Sequence, residues 1–362
     1  MRRLVAAAAV AATMSLAACG GDDDDKPATT AQPAAAKGAD LAAIKQYLLD
    51  HTERLTADTG TLRTDAEAYY KLAEATDFDY AKLLADQRTE VAALVKKLQE
   101  GFTAANPAYE EMEGVVAGVP QLADFDVIID AGGDASDPEN AVPFSIKTPD
   151  GRTFKQPGNF NFLVETSAFG TEPKFAAKGV KPDLDGDGKV EFGEALPDAN
   201  FLVAVARDFE KSAKDLDAAA RKWTPTQQDA FTALVVMTPT MSEYFEAWKN
   251  SRFIAGEKAE EKAFVAASRL QDIADILGGL NLVYDNVKPS IAKVDGAQAT
   301  QTGTSLQNLQ SFAEKLRDQE ADGKRFTAQD ADTLGGEAQD QAEAIAGQVS
   351  QAAGRLGIKL ED

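Results

Sequence analysis

The sequence predicts an all-α protein of two antiparallel helical bundles, joined by an irregular middle region with a small β-hairpin and an EF-hand-like calcium loop. Three observations predict it. Apolar residues recur at three- and four-residue steps over most of the chain beyond residue 40. Residues 119–197 break that period and are rich in Gly, Pro and Asp. Within them, residues 183–194 carry acidic side chains at the spacing of a twelve-residue calcium loop. The chain has 362 residues, 44% of them hydrophobic, enough for a sizeable core and too many for a disordered polymer.

Residues 1–18 have the pattern of a lipoprotein signal peptide. Arg2 and Arg3 precede an apolar run that is too short for a stable transmembrane helix. Leu16, Ala17, Ala18, Cys19 and Gly20 then resemble a bacterial lipobox, and Cys19 is the single cysteine of the chain. The expectation is lipidation at Cys19 and an extracytoplasmic protein held to a bacterial membrane, in the periplasm or at the cell surface. An ordinary secretory signal with an incidental cysteine is the alternative. Residues 19–39 hold four consecutive Asp, then Pro, Ala, Thr and Gln, with almost no large apolar side chain. They read as a disordered tether.

The first bundle is expected over about 40–118. Asp40 is a plausible N-cap, and Leu41, Ile44, Leu48, His51, Leu55, Leu62, Ala66 and Tyr69 form one face. A second helix is expected from Asp79, with Gly101 as its stop, and Pro107 opens a third. In the middle region, two short alternating runs flank Pro149, Asp150 and Gly151, which reads as a hairpin. Residues 198–362 return to helical spacing. Capping boxes are expected at residues 224–227 and 240–243, a long helix over 260–287 with Pro289 beyond its end, and two further helices near 304–319 and 338–356.

The calcium loop fits at every fixed position. Asp183, Asp185 and Asp187 offer side-chain oxygens, Gly188 permits the sharp turn, and Lys189 offers its carbonyl. Glu191 follows at the ninth position, and Glu194 closes the site at the twelfth. Val190 is expected to pack the loop on the core. Pro182 and Pro197 flank the segment, so a structural calcium ion is expected rather than a paired helix–loop–helix sensor.

Composition narrows the function. There are 59 Asp and Glu against 37 Lys and Arg, for a formal charge of −22. Such a field repels phosphate, so no nucleic-acid partner is expected, and it favours cations. One cysteine and one histidine exclude a disulfide, a Cys-based zinc site and any site needing two imidazoles. His51, on an apolar stripe, reads as a satisfied core residue. Tyr244, Phe245, Trp248 and Phe253 read as core packing before a sugar platform.

Three stretches resemble the imelysin-like family, in particular its EfeM/EfeO-type lipoproteins. Residues 109–117, leading to 124–131, resemble that family's Y-E-x-x-E-P-x-A and D-L-D-x-x-I-D-A segments. Residues 160–170 resemble its G-x-H-x-x-E-x-x-L-F-G, and 351–357 its usual finish. The resemblance implies an all-α imelysin-like domain over 40–362 and binding of a metal ion or small solute. Iron uptake is the implied context, with a permease or peroxidase partner. It also implies an alternative, a metal-dependent peptidase. Phe162 stands where the family histidine would be, while Glu165 is retained. A phenylalanine can neither ligate a metal nor move a proton, which argues against the peptidase.

Glu110 and Glu113 share one helix face. With Asp126, Asp130 and Glu165 they would form a carboxylate pocket suited to calcium, iron or another divalent metal. The alternatives are a solvated acidic face and, for the whole protein, a non-catalytic envelope interaction scaffold.

Overall fold

Residues 38–361 are described by a computed structural model. The predicted signal peptide, Cys19 and nearly all of the predicted tether lie outside the described residues. Asp40 caps helix α1 (Leu41–Glu74) through its side chain, which accepts from Ala43 N–H. The buried face carries Ile44, Leu48, Leu55, Leu62, Ala66 and Tyr69. A turn with Asp77 and Phe78 at positive φ leads to Asp79, which caps α2 (Tyr80–Val116).

α2 corrects the expected break. It runs through both Gly101 and Pro107, and its one non-helical residue is Gln87. Gly101 is a contact point, because a Cβ there would lie 3.4 Å from Leu62. Pro107 lies among the buried Phe102, Ala105, Ala108, Tyr109 and Met112. Burial on that scale outweighs the roughly 3 kcal/mol that proline costs a helix interior.

The middle region holds α3 (Ala123–Asp126), a π turn (Val127–Ala131) and the hairpin β1 (Ser145–Lys147) and β2 (Thr153–Lys155). The strands pair antiparallel with Ile146 opposite Phe154, and Gly151 supplies the positive φ of the turn. Next comes α4 (Phe160–Phe169), capped by Asn159. Its residues are buried nearly all round, so it has no amphipathic stripe for a sequence to display.

Beyond the acidic loop, α5 (Ala199–Lys222) packs on α1. α6 (Gln227–Met237) begins with a capping box made by Thr226 and Asp229, two residues later than expected. α7 (Met241–Asn250) lacks the expected capping box, because the Thr240 hydroxyl bonds the Met237 carbonyl of the preceding 3-10 turn. α8 (Arg252–Ala255) is one turn. α9 (Arg269–Val294) starts nine residues later than expected and continues past Pro289, with Val287 and Ile291 buried on either side. α10 (Gly296–Ala321) and α11 (Ala328–Leu356) complete the second bundle.

α1, α2 and α5 form one bundle; α6, α7, α9, α10 and α11 form the other, and α2 packs on α9. Gly279 permits that approach, since a Cβ there would lie 2.3 Å from the Glu111 carbonyl oxygen. One continuous hydrophobic core results. Among the described residues, no helix is long and apolar enough to cross a membrane.

Candidate metal centre

α2 delivers Glu110 and Glu113 into the core one helical turn apart, at 0% and 4% exposure. The π turn delivers Asp130. One carboxylate oxygen from each of the three lies within 4.8 Å of the others, a grouping that could hold a metal ion. Each neighbour has a definite place. Asn161 on α4 donates to Asp130 Oδ1 at 3.0 Å, and the Tyr244 hydroxyl donates to Glu113 Oε1 at 2.8 Å. Asp126 is beside the cluster, taking the Tyr109 hydroxyl at 2.6 Å. No side-chain or backbone donor among the described residues reaches the buried Glu110 Oε1 and Glu113 Oε2, which leaves a proton shared between the two carboxyls or a cation to satisfy them.

Sequence reasoning missed the cation in this cluster. The Arg269 guanidinium is 5% exposed and lies between the rings of Tyr244 and Phe264, 4.5 and 4.3 Å from their centroids. It reaches Asp272 at 3.1 Å, Glu110 at 3.4 Å and Asp130 at 3.8 Å. Asp272 is held in turn by the Asn106 amide at 3.0 Å. The sequence carried no signal for it: the helix expected over 260–287 put Arg269 in its interior, whereas Arg269 is the first residue of α9.

One guanidinium faces several buried carboxylates, and desolvation resists their ionisation. Burial pushes Glu110 well above the usual carboxylate range, against the pull of Arg269. Burial and the neighbouring Asp130 and Asp126 push Glu113 up to about 8. Burial, then Asp130, pushes Asp126 up to about 7. For Arg269, burial works against the charge, but Glu110 and Asp272 more than offset it. The cluster is therefore short of positive charge, and protons or a cation can supply it. The fully oxygen donor set and the two orphaned oxygens fit a divalent ion.

Glu165 is near this cluster but differently occupied. Its carboxylate accepts the backbone N–H groups of Phe264, Val265 and Ala266 at 2.7, 2.8 and 2.8 Å. Those bonds give residues 264–266 a path other than helix, which is why α9 begins only at residue 269. Phe264 has a φ of +52°, rare for a large side chain. Burial raises Glu165 to about 7 even though the three N–H bonds favour its charge. Phe162, one turn earlier on α4, faces a cavity of about 450 Å3 whose lining also includes Phe102, Phe264 and Glu165.

The predicted calcium loop has its own geometry. Oxygens of Asp183, Asp185 and Asp187 lie within 4.8 Å of one another. Asp183 accepts the Gly186 and Gly188 N–H groups, and Asp187 accepts that of Lys189. Glu194 accepts N–H groups from Leu184, Asp185 and Glu191 at 2.7, 3.1 and 2.8 Å, so it ties the two ends of the loop together. Gly186 and Gly188 both have positive φ. Val190 does not pack on the core as expected; it is 48% exposed. Phe192 makes the apolar contact instead, stacking on Phe169 with the Arg252 guanidinium over its ring. The reason is local: no helix flanks the loop on its N-terminal side to receive Val190.

His51 lies outside both groups. Its ring nitrogens are 2.7 Å from the Tyr47 carbonyl and 2.8 Å from Glu111. Trp248 is fully buried and donates to Glu320, beside the buried Tyr244 and Phe245.

Residues 169–350, half of the chain, match the family model described as Imelysin. That span holds the acidic loop, Arg269 and Asp272, while Glu110, Glu113, Asp130 and Glu165 precede it. A search of curated proteins finds no match.

Proposed function

The chain belongs to the imelysin family, and from that premise we propose that it is an extracytoplasmic lipoprotein, anchored through Cys19, that captures a divalent metal ion. Glu110, Glu113 and Asp130 are the proposed ligands. The observation that carries the reading is the pair of orphaned buried oxygens, Glu110 Oε1 and Glu113 Oε2, in a cluster whose three carboxylates converge within 4.8 Å. Such oxygens suit ferrous iron, manganese, magnesium or calcium better than zinc. The metal is cargo here, and iron supply to an uptake permease or peroxidase is its proposed context. A second ion, calcium, is proposed at Asp183, Asp185 and Asp187, whose oxygens lie within 4.8 Å of one another, where it would pin the middle region.

A peptidase reading would use Glu165 as base. Both of its oxygens already accept backbone N–H groups, which leaves it poorly placed to take a proton from water. Nor does the cluster contain an imidazole.

Metal content tests the proposal. The purified protein is dialysed against calcium, ferrous iron, manganese and zinc, and bound ions are counted by mass spectrometry. The expected result is a transition-metal ion lost in Glu110→Gln/Glu113→Gln, and a calcium ion lost in Asp183→Ala/Asp187→Ala. Calcium alone, insensitive to the first variant, would sink the capture reading. Membrane fractionation of Cys19→Ser, with release expected, tests the anchor.

A further inference from the structure

The cavity beside the cluster has chemistry that a metal site does not need. It encloses about 450 Å3. That volume lies within the range of small-molecule sites. A bare divalent ion needs only oxygens about 2.0–2.6 Å away. Glu110 and Glu113 are not among its lining residues.

Two properties of the wall define an occupant. Its large apolar surfaces are aromatic, from Phe102, Phe162 and Phe264. Every ionisable residue in its lining is acidic: Asp130, Asp134, Glu165, Glu261 and Asp272. Two adjoining cations, Lys174 on Asp134 and Arg269 on Asp130 and Asp272, offset part of this charge, and the excess of carboxylates still disfavours an anion and gives a neutral apolar molecule no electrostatic gain. A cation with a flat or apolar body matches both properties.

The chain's own cations already use these groups. The Lys174 ammonium lies 3.3 Å from Asp134 and 5.8 Å from the centre of the Phe162 ring. The Arg269 guanidinium covers one face of Phe264 at 4.3 Å. Both rings are within the distance at which a face attracts positive charge.

We propose that this cavity binds an organic cation, a primary ammonium on an aromatic or other apolar body. The body lies against Phe102, Phe162 and Phe264, and the ammonium faces the acidic wall at Asp134 and Glu261. This goes beyond metal capture, because Phe102, Phe162, Phe264, Asp134 and Glu261 are not among the proposed metal ligands; of those ligands only Asp130 also lines the cavity.

Calorimetric titration of the purified protein, in chelator, tests it with three probes of one shape. These are 2-phenylethylamine, 2-phenylethanol and 3-phenylpropionate. The amine is expected to bind at least about tenfold tighter than the alcohol, with the carboxylate weaker still. Phe162→Leu keeps the bulk and removes the ring face, and should weaken the amine about tenfold. Glu110→Gln/Glu113→Gln should leave amine binding unchanged, whatever it does to metal content. No detectable amine binding, or equal binding of amine and alcohol, would overturn the proposal. So would amine binding that ignores Phe162→Leu or disappears in the Glu110→Gln/Glu113→Gln variant.

Discussion

The carboxylate of Glu165 accepts the backbone N–H of Phe264 at 2.7 Å, joining residues 99 positions apart. The same carboxylate holds the next two N–H groups. It therefore shapes the segment that leads into α9, and that segment places Phe264 between Arg269 and the cavity. A residue that resembles part of a catalytic motif is, in this chain, the anchor of a backbone turn.

Glu165→Gln should loosen that segment. One oxygen would remain to accept, and the amide nitrogen would face N–H donors. The expected loss is about 1–3 kcal/mol of stability by urea denaturation. Faster hydrogen exchange should be confined to the amides of residues 264–266. Unchanged exchange there would contradict the anchoring role.

Stability should fall as pH rises from mildly acidic to mildly basic. Glu113 is pushed up to about 8, and Asp126 and Glu165 to about 7. An unfolded chain releases these protons near pH 4. Between about pH 4.5 and 8 the native state thus binds more protons than the unfolded one, so stability falls as pH rises. Each group contributes at most about 1.4 kcal/mol per pH unit. Urea midpoints at pH 5.5 and 8, taken in chelator, should show the fall, and Glu113→Gln should reduce it. Added ferrous iron or manganese should offset it if the cluster takes that metal.

Arg269→Met should be costly at neutral pH. It removes the only cation touching Glu110, Asp130 and Asp272 among the described residues. Breaking one side of a buried ion pair costs about 3–5 kcal/mol. Lower pH should restore part of that loss, because protons can then neutralise the carboxylates. Thermal melts at pH 5 and pH 8 would show the difference.

Calcium at about a millimolar should raise the melting temperature of the wild-type protein. The Asp183→Ala/Asp187→Ala variant should not respond. A wild-type melt indifferent to calcium would remove the structural-ion reading of the loop.

Gly279→Ala tests the joint between the bundles. Its new methyl group would meet the Glu111 carbonyl, so α9 must move away from α2. Overpacking of this kind costs about 1–3 kcal/mol. Gly278→Ala is the control on the same helix, since its Cβ would meet only the Gln310 side chain at 3.3 Å.

Much of this molecule was legible in the order of its residues. Asp40 and Asp79 cap helices because a short acceptor side chain precedes a helical run. The hairpin follows from Pro149, Asp150 and Gly151 between alternating runs. The three-residue spacing of Glu110 and Glu113 placed both on one face. These features depend on neighbours within a few residues, and local spacing displays such neighbours directly. Tertiary structure decided the rest. Gly101, Pro107 and Pro289 look like helix ends in sequence, yet burial on both sides carries the helices through them. Arg269 enters the carboxylate cluster from 159 residues away, and Glu165 takes its partners from a segment about a hundred residues on. No periodicity encodes those meetings. They arise because a buried charge must find an opposite charge or a donor, and only the folded chain determines which one is within reach.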